Sequence, residues 1–547
     1  MPSKRRILAL FTIFLSVFLL LNIKFICLQL LAHNKFYKQA ADQRSMAIKI
    51  SDNRGIIYDR NFIPLVNNNP VKYAVVFPEF ITNSKEVVRL FKKATGSNQI
   101  QDKLKANKQF AEKMVCFDEA LLYKLKGNNI FVVDGYERYG ENNLARHIIG
   151  YTAPGDGHGR TGIEKAFDNF LYSTRGKYIG IVSDALHHQI AGLGVRYIDE
   201  QEFKGEFDVK LTIDFHIQQL VEKYMDKHDI SGAVAILKVS DGDILAMASR
   251  PQFRQDVIEK YIDSSGTELV DRALNPFNAG SIFKIVVSAA AFENGSSFLT
   301  DTFYCAGERK VQDRYFRCTS SHGFIDLTNA FAVSCNSAFI DLGIRTGKKN
   351  ILDMARKLGF GSFSHLNELG INESKGKLPE TKYTSDKEIA NIAIGQGDIL
   401  VTPLQVASMV AAVANNGVKT NVNLVDSIID SDGRLVKRVK SIENRRVFSV
   451  QTASKLKIMM EKVTEVGTGK KANIQSLGGA AGKTGTAQTG WRQGDLTKVH
   501  GWFAGYFPIK DPQYALVVFV ENGQSGSEVA APIFGEIASE IMKLGRR

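Results

Sequence analysis

The sequence predicts an α+β domain in its C-terminal half, set behind a mixed region of short strands and helices and a single N-terminal membrane helix. Three observations carry that expectation. Strand-like segments stand at both ends of the C-terminal half, helical patterns fill the interval, and one long apolar run opens the chain. A chain of 547 residues allows about three or four domains at ~150 residues each. With 44% hydrophobic and 23% charged residues it can bury a core, which excludes a disordered, collagen-like or disulfide-stapled chain. Lys and Arg exceed Asp and Glu by 70 − 57 = 13. That balance suits an anionic membrane or wall polymer. No basic patch is interleaved with aromatics, so no nucleic acid partner is expected.

The first element is the anchor. Lys4-Arg5-Arg6 precede an apolar run from Ile7 to Ile23, and the apolar character resumes after Lys24 through Leu28. Counted to Leu31 the segment is 25 residues, enough to cross ~30 Å of hydrocarbon. The three leading cations place the N-terminus in the cytoplasm and everything after about Ala32 outside it. A cleaved signal peptide is the alternative. The run is longer than the usual apolar core of such peptides, and no A-x-A-like site follows. Residues 1–35 are therefore expected to be a short cytoplasmic tail and a single-pass anchor.

Residues 36–207 read as the mixed region, punctuated by Arg54-Gly55-Ile56-Ile57-Tyr58-Asp59-Arg60-Asn61 and by the Gly-rich stretch Gly150 to Gly162. Residues 208–547 form the α+β domain. Val209 to Ile213 alternates like a strand, and Ile217 to Val221 opens a helix. Gly232 to Val239 and Ile244 to Ser249 read as two strands joined by a tight Asp241-Gly242 turn. Trp502 to Phe507 and Tyr514 to Val520 supply the late strands.

Acyl transfer from a serine needs a nucleophile, a base, oxyanion donors and a grip on the substrate's carboxylate. Ser-x-x-Lys sets the first two on one helical face. It occurs three times, as Ser281/Lys284, Ser374/Lys377 and Ser454/Lys457. Ser374 falls in a polar loop and Ser454 on a Lys-rich amphipathic helix. Ser281 instead follows the turn Asn278-Ala279-Gly280 and leads an apolar helix, where free N–H groups favour developing negative charge. Lys284 lies among Phe283, Ile285 and Val286, and desolvation lowers a lysine's pKa. Ser334-Cys335-Asn336 and Lys483-Thr484-Gly485-Thr486 then follow in order.

Three motifs in this order resemble the signature of penicillin-recognising serine enzymes. The resemblance covers about residues 208–547. Arg54 to Asn61 and Gly159-Arg-Thr-Gly-Ile-Glu164 are similar to the pedestal of class B penicillin-binding proteins. Gly395-Gln396-Gly397, Thr402-Pro403-Leu404-Gln405 and Gly501 to Gly505 are similar to that family's catalytic domain. One departure is Ala279, where many relatives carry proline. The resemblance implies an antiparallel sheet flanked by helices on a mixed pedestal domain, and a membrane-anchored D,D-transpeptidase of bacterial cell-wall synthesis.

Carried over, it makes Ser281 the nucleophile on the penultimate D-alanine of a peptidoglycan stem peptide and Lys284 its base. Ser334 relays a proton, Asn336 holds a substrate amide, and Lys483 supplies positive charge. Thr484, Gly485 and Thr486 form the substrate-binding strand, with the two threonines on the terminal carboxylate. The implied partners are stem peptides, β-lactam antibiotics, and a membrane glycosyltransferase of the elongation, division or sporulation machinery. A β-lactamase would share the motifs but has no use for a pedestal. A receptor would need further spans and His-Glu-x-x-His. A non-catalytic scaffold would not need every catalytic side chain.

No cofactor is needed for this chemistry, but the cysteines raise a metal. Cys305, Cys318, His322 and Cys335 supply four ligands of the kind tetrahedral structural zinc prefers. Cys335, between Ser334 and Asn336, is expected to point into the body of the domain. Zinc there would brace the active-site wall from behind, and the resemblance adds that some class B relatives, notably of the elongation type, carry zinc in this region. A Cys305–Cys318 disulfide and plain buried thiols are the alternatives.

Overall fold

Helix α1 (Lys4–Ile26) opens on three cations and is predominantly apolar after them, and its Leu8–Ile26 portion is long and apolar enough to cross a membrane. The structure, a computed structural model, describes residues 4–26, 45–81, 84–106, 109–116, 118–153, 156–182, 195–198, 207–380, 385–493 and 496–545. The expected continuation of the anchor through Leu31, with Cys27, lies outside the described residues.

The chain divides into two compact units, and the division is not a single cut in the sequence. The first comprises Met1–Asn53, Pro70–Glu137 and Ser173–Lys204, and the second Arg54–Asn69, Arg138–Tyr172 and Gly205–Arg547. In the first, strands Phe110–Lys113, Asn69–Val76 and Ile130–Glu137 form one sheet in that order. Val87, Leu90, Phe91, Leu121 and Leu125 of two amphipathic helices bury against it. Strands Ser45–Arg54, Tyr172–Val182 and Val195–Ile198 form a second sheet.

In the second unit the strands that matter are, in chain order, β1 (Gly232–Lys238), β2 (Ile244–Arg250), β3 (Thr302–Cys305), β4 (Glu308–Val311), β5 (Arg314–Arg317), β6 (Gly323–Asp326), β7 (Ala481–Gln493), β8 (Leu496–Phe507) and β9 (Tyr514–Gly523). The helices are α2 (Phe215–Lys227), α3 (Lys284–Glu293), α4 (Leu327–Ala332), α5 (Asn336–Thr346), α6 (Pro403–Ala414), α7 (Val450–Glu465) and α8 (Ala530–Leu544).

The central sheet is antiparallel throughout, in the order β2-β1-β9-β8-β7. Side chains alternate along each strand, so both faces are apolar. Val234, Ile236, Phe503, Leu516 and Val518 pack against Val221 of α2 and Phe534 of α8. Ala235, Leu237, Trp502, Val517 and Phe519 face the core built by α3, α6 and α7. The antiparallel sheet flanked by helices matches the expected fold class.

The pedestal-like motifs carry a buried ion network within this unit. Glu164, wholly buried, accepts from Arg54 Nε at 2.6 Å, Arg138 Nε at 2.6 Å and the Tyr139 hydroxyl at 2.8 Å. Burial alone would raise its pKa, but Arg138 and Arg54 hold the carboxyl below its usual range. Ile57 pairs with Val209 in parallel, and Asp59 Oδ1 accepts from the Asn61 and Ile63 N–H groups at 2.7 Å. The Arg54 to Asn61 segment is thus folded into the second unit.

Candidate active site

Ser281 lies in a 3-10 turn, Gly280–Phe283, that runs directly into α3. Ala279 precedes it, buried, with φ −69°. That is the φ a proline would fix, so the departure from proline leaves the backbone path unchanged. The Gly280 N–H donates to the Gly395 carbonyl at 2.9 Å. Gly395 has φ +70°, and a Cβ there would lie within 2 Å of the Gly280 carbonyl oxygen. Only glycine fits both demands, which gives Gly395-Gln396-Gly397 its physical role beside Ser281. Thr402 and Gln405 form a reciprocal capping box on α6, so that motif is a helix start.

One turn on, Lys284 is fully buried. Its Nζ donates to the Ser334 carbonyl at 2.7 Å, to Ser334 Oγ at 3.2 Å and to Asn336 Oδ1 at 2.8 Å. Burial pulls its pKa down to about 8, opposed by the Cys318 and Cys335 sulfurs. Ser334 has φ +59°, in the left-handed region, at the turn between α4 and α5. Asn336 starts α5 and its Nδ2 donates to the Arg317 carbonyl at 2.9 Å. Among the described residues Ser281 Oγ makes no hydrogen bond.

The third motif lies along β7, against the turn that holds Ser281. A Cβ on Gly485 would come 2.7 Å from Ile282 Cγ1, so the strand approaches Ser281 through a position that has no side chain. Trp502 of β8 fixes the other side, its Nε1 donating to the Asn278 carbonyl at 3.1 Å. Lys483 is fully buried, donates to the Thr484 carbonyl at 3.0 Å, and sits 5.4 Å from the Phe331 ring centroid. Burial, then the charge of Lys284, holds it well below the usual ammonium range. Thr486 is exposed, and its Oγ1 accepts from the Gly526 N–H at 3.3 Å.

Sequence reasoning missed Thr468. It follows α7, and its Oγ1 lies 2.5 Å from Thr484 Oγ1. The only local signal was its place in Gly467-Thr468-Gly469.

Behind the second motif, one ligand atom each from Cys305, Cys318, His322 and Cys335 fall within 4.8 Å of one another. Cys318 Sγ is 3.9 Å from Cys335 Sγ and 3.6 Å from His322 Nδ1. Tetrahedral bonds of ~2.3 Å to sulfur and ~2.0 Å to nitrogen give edges of about 3.8 and 3.5 Å, so the donor set fits a metal. His322 Nε2 is 3.0 Å from Ser320 Oγ, a partner that orients the ring. The neighbouring Cys335 sulfur holds the Cys318 thiol below its usual range, toward the thiolate a metal binds. The described cysteines, Cys116 included, are free thiols, so the Cys305–Cys318 disulfide is not formed. Cys335 is wholly buried and points into the domain core. The Asn336 N–H donates to Cys318 Sγ at 3.2 Å, joining this cluster to the second motif.

Comparison with known proteins matches these features over nearly the whole chain. The transpeptidase domain of penicillin-binding proteins matches residues 232–539, and the penicillin-binding protein dimerisation domain residues 49–191. Stage V sporulation protein D of Bacillus subtilis is 28% identical, over 98% of this chain and 85% of its own. Other relatives are named peptidoglycan D,D-transpeptidases. Penicillin-binding protein A of M. tuberculosis, solved as a ceftriaxone acyl-enzyme complex, is 25% identical with a TM-score of 0.62, covering 74% of this chain and 92% of that one. A structure described as a peptidoglycan synthase complex that coordinates polymerization and crosslinking covers 98% of each chain with a TM-score of 0.72 at 23% identity, a likeness of fold.

Proposed function

The chain belongs to the class B penicillin-binding protein transpeptidases, and on that footing we propose a membrane-anchored serine D,D-transpeptidase that cross-links peptidoglycan stem peptides and is acylated by β-lactams on Ser281. One observation carries the reading. Lys284, three residues after Ser281, donates to both Ser334 and Asn336, while the Lys483 to Thr486 strand packs on the turn that holds Ser281.

Ser281 Oγ attacks the penultimate D-alanine carbonyl of a donor stem, forming an ester and releasing the last D-alanine. Lys284 takes the hydroxyl proton in its neutral form, which burial favours. Ser334, within reach of Lys284, passes a proton to the leaving amine. Backbone N–H groups of Ser281 and Thr486 receive the oxyanion. Asn336 holds the donor amide, and Thr484 and Thr486 take the terminal carboxylate. Lys483 is disfavoured as an ammonium in the free enzyme; an arriving carboxylate restores its proton and gains a charge-assisted partner. An amine from a neighbouring stem then resolves the ester. Incubating the detergent-solubilised chain with uncross-linked glycan strands should yield dimeric muropeptides, and Ser281→Ala should yield none.

Residues 1–35 serve as a single-pass anchor, 36–207 as pedestal and 208–547 as catalytic domain outside the cytoplasm, with pedestal segments folded into the catalytic unit. A membrane glycosyltransferase is the expected partner, supported by the fold likeness to a synthase complex. Zinc is the metal proposed for Cys305, Cys318, His322 and Cys335, on the donor chemistry and the tetrahedral edges. It would supply structural support behind Asn336.

A further inference from the structure

We propose that Thr468 is a positioning residue that equips Thr484 to give its hydroxyl proton to an anionic ligand; the inference rests on the assignment of Thr484 to the carboxylate. Thr484 is only 5% exposed, in a strand whose neighbouring lysine is fully buried. A hydroxyl there carries one proton. If that proton is committed to the protein, it is not available to a substrate.

Thr468 meets this requirement by holding a proton it can redirect. Its backbone N–H donates to the Ala332 carbonyl at 3.0 Å, and its Oγ1 lies 3.3 Å from the same oxygen. The second contact of that hydroxyl is Thr484 Oγ1 at 2.5 Å, in which either oxygen can donate. In the free enzyme Thr468 donates to Ala332 and accepts from Thr484, so both hydroxyl protons are satisfied. When a carboxylate arrives, Thr484 turns its proton onto it and Thr468 turns its own onto Thr484. No covalent O–H bond breaks. The Ala332 carbonyl keeps its bond from the Thr468 N–H, so no buried acceptor is orphaned. Ala332 ends α4, two residues before Ser334, so the same threonine ties the second motif to the third.

The test compares benzylpenicillin with its methyl ester, which lacks the anionic carboxylate, on the full chain in detergent. Thr468→Val keeps shape and removes the hydroxyl. It should lower the second-order acylation rate with benzylpenicillin by about tenfold or more, chiefly through binding, and with the ester by less than about threefold. Thr468→Ser should restore wild-type discrimination between the two. Equal losses with both compounds, or no loss with either, would overturn the proposal. Where the valine chain does not fold, the serine chain decides: retained discrimination supports the relay, and lost discrimination with an unchanged melting temperature overturns it. Absence of any adduct on wild-type protein would instead refute the transpeptidase reading itself, an outcome readable separately.

Discussion

Lys284 Nζ and Asn336 Oδ1 lie 2.8 Å apart, joining the first motif to the second at the start of α5. The same Asn336 donates its backbone N–H to Cys318 Sγ, so one residue is shared by the proposed base and the cysteine–histidine cluster. Burial that pulls Lys284 down to about 8 has a direct kinetic consequence. The neutral amine, the form that accepts a proton, grows as pH rises. Acylation by benzylpenicillin should climb about tenfold per pH unit below 8 and level off above it. Lys284→Arg should lower the rate by ~100-fold or more and abolish the inflection, because a guanidinium keeps its proton. A flat profile in the wild type would assign the proton transfer to another group.

Asn336→Ala removes the carboxamide from Lys284 and from the Arg317 carbonyl, but leaves Ser281 and Lys284 in place. Acylation should slow by about tenfold, less than for Lys284→Ala, with the difference measured as second-order rates on the same preparation.

Zinc, as proposed, is measurable as about one ion per chain by elemental analysis of protein purified without chelator. Cys318→Ser should lower both metal content and melting temperature, the latter by roughly 5 °C or more. Metal-free protein of undiminished melting temperature and acylation rate would remove the metal from the account.

Glu164→Gln should leave Arg54 and Arg138 without their shared buried carboxylate and cost about 3–5 kcal/mol by chemical denaturation. Because the folded-state pKa of Glu164 is depressed, its contribution is present above the ordinary carboxyl range and fades as pH falls through and below it. Wild type and variant should therefore converge in stability toward acid pH.

Much of this site was legible because its parts are short and ordered. Ser281-x-x-Lys284, Ser334-x-Asn336 and the Lys483 to Thr486 run each declare a chemistry locally, β1 and β2 flank an Asp241-Gly242 turn, and Tyr514 to Val520 of β9 is rich in Val and Phe. What the sequence could not convey lies in contacts between distant segments. Val234 pairs with Val518 across nearly the whole catalytic unit. Lys483 loses solvent because Phe331 of α4 covers it, and nothing in Gly482-Lys483-Thr484 announces that. Thr468 is a single hydroxyl among glycines whose meaning depends on Thr484 and Ala332 arriving beside it. The folding of Arg54–Asn69 and Arg138–Tyr172 with the second unit has the same origin: Ile57 pairs with Val209, and the Ala145 N–H donates to Glu222 Oε1.

The most direct measurement is intact-mass spectrometry of the full chain after exposure to benzylpenicillin, followed by peptide mapping. A single penicilloyl adduct on the peptide containing Ser281, absent from Ser281→Ala, is the expected result. An adduct that persists in Ser281→Ala, or no adduct on folded wild-type protein, would contradict the assignment of Ser281 as the nucleophile.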